Sequence, residues 1–323
     1  MVKKRSPMKK IGFWFLIIML VLFVAYPFAW MVSVSFRYDT DAFDPGIIPQ
    51  RPTLNTYEVL LGFKQSVRQQ LSDEQKELLE IAQQLPKDQR EKILKKIKEQ
   101  RKKNSFPFIR YFKNSLLLAG LSSFFSLMIS IFGAYSFSRL KYAGRSFIQR
   151  GVLMVYLFGG TILAVPLYQI FVHLHMTTSV SGGMGALFLI YILQTLPVSL
   201  YMLGNYFRTI SFSIEEAAII DGCSRWGTIF KIIIPLSIPA IITVYIYAFM
   251  IGWNEYLFAS IFLRSYPSAY TLPLGLSEIF NSAHAIWAKM MAASVLTAVP
   301  VVVLFISMEK YLTGGLTTGG VKE

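Results

Sequence analysis

Residues 151–207 contain no Asp, Glu, Lys or Arg. A helix on the surface of a soluble protein turns one polar face to water, so a charge-free run of this length does not belong to a globular core. A bilayer accommodates it, because a crossing helix needs about 20 apolar residues to traverse a hydrocarbon layer of about 30 Å. The run is too long for one crossing and right for two, with the break predicted in the polar, glycine-containing stretch 173–183. Two spans follow, at residues 151–171 and 184–207. The 323 residues are 54% hydrophobic and 15% charged, with a mean hydropathy of +0.48, whereas soluble domains carry about a quarter charged residues. The fold class expected is an all-α integral membrane protein.

Four further apolar runs bring the expected spans to six, at 11–36, 115–138, 151–171, 184–207, 232–254 and 290–308. The first follows Lys3, Lys4, Arg5, Lys9 and Lys10 and so has the outline of a signal peptide. Its apolar part exceeds the roughly 7–15 residues of such a leader and no small-x-small site follows, so it is an anchor. Lys and Arg number about 14 in the N-terminus, the 139–150 loop, the 208–231 loop and the tail, which places both termini in the cytoplasm by the excess of positive charge inside. The two short outer loops hold only Arg264 and Lys289. The expected organisation is a cytoplasmic start at 1–10, the first span at 11–36, an extracytoplasmic loop at 37–113, a transmembrane domain at 114–308 and a cytoplasmic tail at 309–323. Much of the net charge of +14 therefore sets topology, and no nucleic-acid partner is expected. A single cysteine, Cys223, excludes an intrachain disulfide framework.

The long outer loop translocates regardless of its charge. Within it, Ser72 and Gln75 make a capping-box start, Leu78, Ile81, Ala82 and Leu85 share a face, and Pro86 ends the helix. A second helix over 87–101 sets Ile93, Leu94 and Ile97 opposite a row of lysines. This hairpin, 64–103, is either a solvated spacer or a docking surface.

The loop between the fourth and fifth spans carries the most specific pattern. Ser213 and Glu216 have capping-box spacing, Ala217 and Ala218 are small enough for close approach, and Asp221-Gly222 is a turn dipeptide, so a short helix is expected here. Trp226, Ile229, Phe230 and Ile233 then supply one apolar face leading into the fifth span. Glu216-Ala217-Ala218, three residues, Gly222, nine residues and Ile232-Ile-Ile234-Pro235 resemble the EAA motif of ABC importer permeases. Ile234 stands where the usual form has leucine. Trp253-Asn254-Glu255-Tyr256 and the stretches after Tyr270 and Gly315 are similar to the carbohydrate-uptake branch, notably the six-span permease of maltose transporters.

That resemblance implies a second homologous permease, an ATPase dimer in the cytoplasm and an external sugar-binding protein as partners. It implies ATPase-coupling roles for Glu215, Glu216, Ala217, Ala218, Asp221, Gly222, Arg225 and Pro235. Tail contact with the ATPase falls to Gly315, Leu316, Gly319, Gly320 and Lys322, in a tail expected to order only on assembly. No G-x-x-x-x-G-K-[ST] phosphate loop occurs in the chain, so ATP and Mg are expected on the partner ATPase, and this chain is expected to bind no cofactor. Tyr191, Gln194, Tyr245, Tyr247, Asn254 and Glu255 are candidates for the substrate pathway, although aromatic residues in spans more often serve packing. His173 and His175 make a poor metal set, and no catalytic residue is expected. The alternatives are a stand-alone secondary transporter or channel, which would call for inverted repeats or mid-membrane charges, and a membrane-integral enzyme, which would call for convergent ionisable groups in the spans.

Overall fold

The computed structural model describes residues 7–63, 106–157, 160–280 and 287–318. It divides into two compact units, one formed by Met1–Ile109 with Glu278–Ala298 and the other by Arg110–Ser277 with Val299–Glu323.

In the first unit α1 (Pro7–Ser35) is apolar along its length and keeps Pro27 inside the helix. None of its most apolar window is buried within the chain. The chain then reverses around Arg37, which is 3% exposed. Its guanidinium donates to Asp44 O at 2.6 Å, to Ser33 Oγ at 3.0 Å and to Gly46 O, and lies 5.3 Å above the Trp30 ring. Helix α2 (Asn55–Leu60) returns Tyr57 to the end of α1, where its hydroxyl donates to Ser35 Oγ at 2.7 Å. The expected hairpin at 64–103 lies outside the described residues.

The second unit is built on α3 (Phe108–Arg139), which begins seven residues before the expected span and ends on the arginine that was to close it. Lipid tails are as apolar as leucine, so spans associate by close packing and interhelical hydrogen bonds rather than by the hydrophobic effect. Accordingly, α3 buries Ala119, Ser122, Ser123, Ser126, Ser130 and Ala134. After α4 (Arg145–Leu157) and α5 (Gly160–His173), a turn leads to α6 (Val180–Thr209), whose start is capped by Ser179 accepting from Gly182 N at 3.1 Å. Ser126 Oγ and Thr195 Oγ1 sit 2.7 Å apart across the contact of α3 and α6.

Beyond α7 (Phe212–Ile220) the chain enters α8 (Arg225–Leu236), which contains a π-helical turn at Ile229–Ile233, and then α9 (Ile238–Asn254). Helices α8 and α9 meet at 79°, and α4 and α5 at 98°. The expected third and fifth spans fall on these bent pairs. Four helices are individually long and apolar enough to cross a membrane, and counting each bent pair as a span gives six. At the α8–α9 bend the cause is local, since Pro235 and Pro239 flank Ser237 and each proline removes a backbone donor.

After α9 come α10 (Leu257–Leu263), α11 (Leu272–Phe280) and α12 (Trp287–Thr318). Asn114 Nδ2 donates to Ser268 O and Tyr270 O, and Ser115 Oγ accepts from Leu272 N at 2.6 Å, which pins the loop before α11 to α3. Helix α12 runs on through Gly314 and Gly315 to Thr318, into the stretch expected to be the cytoplasmic tail. Each glycine weakens a helix by only about 1 kcal/mol, and a long established helix extends by one hydrogen bond per residue.

Candidate functional site

The loop helix α7 is amphipathic in an unusual direction, presenting little of itself inward. Of its nine residues only Glu215 and Ala218 are buried. Glu215 is 3% exposed, and its Oε1 lies 2.5 Å from Arg139 Nε at the last residue of α3. Its other oxygen, Oε2, accepts from Tyr135 Oη at 3.3 Å, one turn earlier on the same helix. Arg139 also donates through Nη2 to Ile210 O at 2.8 Å and stands 5.7 Å over the Phe212 ring. One guanidinium thus grips Ile210, two residues before α7, together with the helix's first residue and its fourth. Truncating either member of such a buried pair leaves an uncompensated charge.

The start of α7 differs from the capping box expected at Ser213 and Glu216. The helix begins at Phe212 behind Ser211, whose hydroxyl caps no backbone N–H and instead sits 2.7 Å from Ser213 Oγ. Glu216 is exposed, freed of any capping duty. The end of the helix follows the sequence reading. Gly222 adopts φ +83°, Gly222 N donates to Ile219 O at 3.0 Å, and Cys223 N donates to Ala218 O at 2.9 Å. This is a Schellman cap, which needs a left-handed residue at the position Gly222 fills.

Glu216, Ala217, Ile219 and Ile220 form the outward surface, with Ile219 55% and Ile220 85% exposed. Of the two alanines expected to permit close approach, only Ala217 faces outward. The single apolar face expected over 226–233 is divided by the π turn. Ile229 and Ile233 enter the core with Leu203 and Phe207, while Trp226 and Phe230 stay exposed and pack on Phe132. A π turn adds a residue and rotates the side chains that follow, a change no 3.6-residue periodicity anticipates.

Residues 126–313 match the family described as binding-protein-dependent transport system inner membrane component. The chain belongs to this family. The permease is 36% identical over 324 residues, covering 100% of both chains, to the inner membrane ABC transporter permease protein YcjP of Escherichia coli (strain K12). It is 30% identical over 307 residues, covering 94% of each, to the trehalose/maltose transport system permease protein MalG of Thermococcus litoralis. Its fold matches a chain of the crystal structure of a bacterial ABC transporter involved in the import of the acidic polysaccharide alginate. That match has a TM-score of 0.69 over 95% of this chain and 98% of the other, at 17% identity. The permease is therefore a multi-pass inner-membrane component of a binding-protein-dependent ABC transport system, a transport subunit rather than an enzyme.

Within the permease, the residues considered for a pathway separate into two groups. Tyr191 is 1% exposed and its hydroxyl donates to Glu255 Oε2 at 3.0 Å. Glu255 also accepts from Phe258 N at 2.7 Å and Ala259 N at 3.0 Å, so it caps the first turn of α10. Tyr245 packs against the core below Leu203, and Asn254 Nδ2 donates back to Met250 O. Gln194 and Tyr247 remain partly exposed. Among the described residues no cluster of three or more His, Cys, Asp or Glu is arranged to hold a metal, and His173 bonds Gln169 O through Nδ1. Side chains of Gly315 and Leu316 and all of Gly319, Gly320 and Lys322 lie outside the described residues. Arg139 and Tyr135 are what the sequence reading missed. Arg139 looked like a topology charge, and a partner 76 positions away gives no signal in one sequence.

Proposed function

We propose that this permease pairs with a homologous permease to form the translocation pathway of a carbohydrate importer, with both termini cytoplasmic and ATP and Mg bound on a separate ATPase dimer. In this reading α7 is the coupling helix, which docks on the ATPase, and Glu216, Ala217, Asp221 and Gly222 meet it. Glu215 faces the other way and fastens the helix to the spans. Arg225 and Pro235 lie on the path from docking turn to fifth span, and the end of α12 with its glycine-rich continuation reaches the ATPase pair. The sugars named for related permeases, trehalose and maltose, support a saccharide cargo.

The observation that carries this reading is the two-sidedness of α7. A loop helix held by a buried ion pair to a span, with Ile219 and Ile220 bare on its other side, suits a part that is pushed by one body and must move another. Reconstitution tests it. The permease purified with its partner permease and ATPases should hydrolyse ATP in response to sugar-loaded binding protein, and Gly222→Asp should break that response while the spans still insert. Normal stimulated hydrolysis in Gly222→Asp would sink the coupling assignment.

A further inference from the structure

The first unit holds a cavity of about 240 Å³ just beyond the end of α1. Arg37, Asp41, Asp44, Ile48, Gln50 and Arg51 all line it. Two arginines and two aspartates thus border one small space, and their formal charges cancel. Among the described residues, however, neither arginine forms an ion pair with either aspartate.

Arg37 makes that separation costly. It is almost fully enclosed, and its guanidinium is met only by neutral acceptors, the carbonyls of Asp44 and Gly46 and the hydroxyl of Ser33. Its Nε is buried without a hydrogen-bond partner among the described residues. A buried cation that lacks a counter-charge is expensive unless an anion completes it.

The depth of the cavity restricts what can reach it. Gly12–Ser35 is long and apolar enough to cross a membrane. At 1.5 Å per residue this stretch rises about 36 Å, a little more than the roughly 30 Å of hydrocarbon. Arg37 follows two residues later, so the cavity lies at headgroup depth whichever way the chain is oriented. Tyr26 and Trp30 stack within the last three turns of α1, and such aromatic residues favour this layer. Ile47 and Ile48 are both exposed and add apolar surface beside the charged groups.

We propose that this cavity binds the zwitterionic headgroup of a phosphatidylethanolamine lipid, with the phosphate set against Arg37 and Arg51 and the ammonium against Asp41 and Asp44. Phosphate oxygens are the acceptors that guanidinium groups bind best. A primary ammonium brings three donors, which carboxylates accept. A choline headgroup carries the same two charges, but its methylated nitrogen has no N–H to donate. An anionic headgroup brings no cation for the two aspartates and is repelled by them. The site is independent of the cargo and of the coupling role of α7.

The test uses the complete transporter in detergent micelles holding equal amounts of phosphatidylethanolamine, phosphatidylcholine and phosphatidylglycerol, with native mass spectrometry counting the lipids that stay bound. The wild-type complex should retain the ethanolamine lipid about tenfold over each of the others, a preference equivalent to one charge-assisted hydrogen bond. Arg51→Ala and Asp44→Asn alter exposed side chains and leave the Asp44 carbonyl that Arg37 uses, so assembly should hold. Each should lower that retention about tenfold, and Arg51→Lys, which keeps the charge, should recover part of it. Equal retention of the three lipids by wild type, or unchanged retention in either Arg51→Ala or Asp44→Asn, overturns the site. Preferential retention of phosphatidylglycerol would show the arginines reading a phosphate alone, and overturns the zwitterion assignment. Soluble phosphoethanolamine forms the last arm, and its binding without retention of the lipid would assign the cavity to a free solute and overturn the lipid proposal.

Discussion

Glu215 and Arg139 are each almost fully enclosed, so their substitution separates attraction from desolvation. Removing one charge, as in Arg139→Met, strands the other and should destabilise the local structure by about 3–5 kcal/mol. Replacing both, as in Arg139→Met with Glu215→Leu, removes the stranded charge and should recover much of that loss. Thermal unfolding of the detergent-purified complex reads the difference, and a double variant no better than the single would show that the pair is not acting as an ion pair. Gly222 calls for a different series. Nothing lies within 4 Å of a β-carbon built there, so Gly222→Ala is penalised only for its left-handed backbone, by about 1–2 kcal/mol. Gly222→Asn should lose less, since asparagine tolerates that region. If ATPase stimulation falls equally in both, bulk at the docked face rather than backbone conformation is what matters.

At the scale of helices, close approach is the governing quantity. Gly252 of α9 faces Tyr191 and Ala119, and a β-carbon there would lie 3.1 Å from the Tyr191 ring and 3.3 Å from Ala119 Cα. Gly252→Ala should therefore push α9 from α3 and α6 and lower stability by about 1–3 kcal/mol, as overpacking does elsewhere. An unchanged melting temperature would show that the three helices give way freely. The existence of these helices was legible in the sequence because charge-free length is a strong signal. Their bends were not, because a bilayer-length apolar run looks the same whether straight or broken at Ser237. The turn at Gly222 was legible from Asp-Gly chemistry. The start of α7 was misread because Ser213 and Glu216 have capping-box spacing, whereas Ser211, which actually precedes the helix, has Ile214 three residues on and gives no such signal.

For the whole molecule, the hairpin expected at 64–103 invites deletion. The closure entropy of an external loop changes slowly with its length, so if the segment lies in such a loop its removal should leave membrane insertion and assembly intact. Transport with sugar-loaded binding protein should fall if the segment is a docking surface. Loss of insertion in a protease-accessibility assay would place it within the fold instead. The bare α1 has a further consequence for the life of the chain before assembly. In water such a surface would drive aggregation. In lipid the surrounding tails are as apolar as its own side chains, so exposure carries no hydrophobic penalty. Lipid can thus cover α1 in a newly made copy, and the apolarity of this helix makes no demand that a partner be present when the chain is inserted.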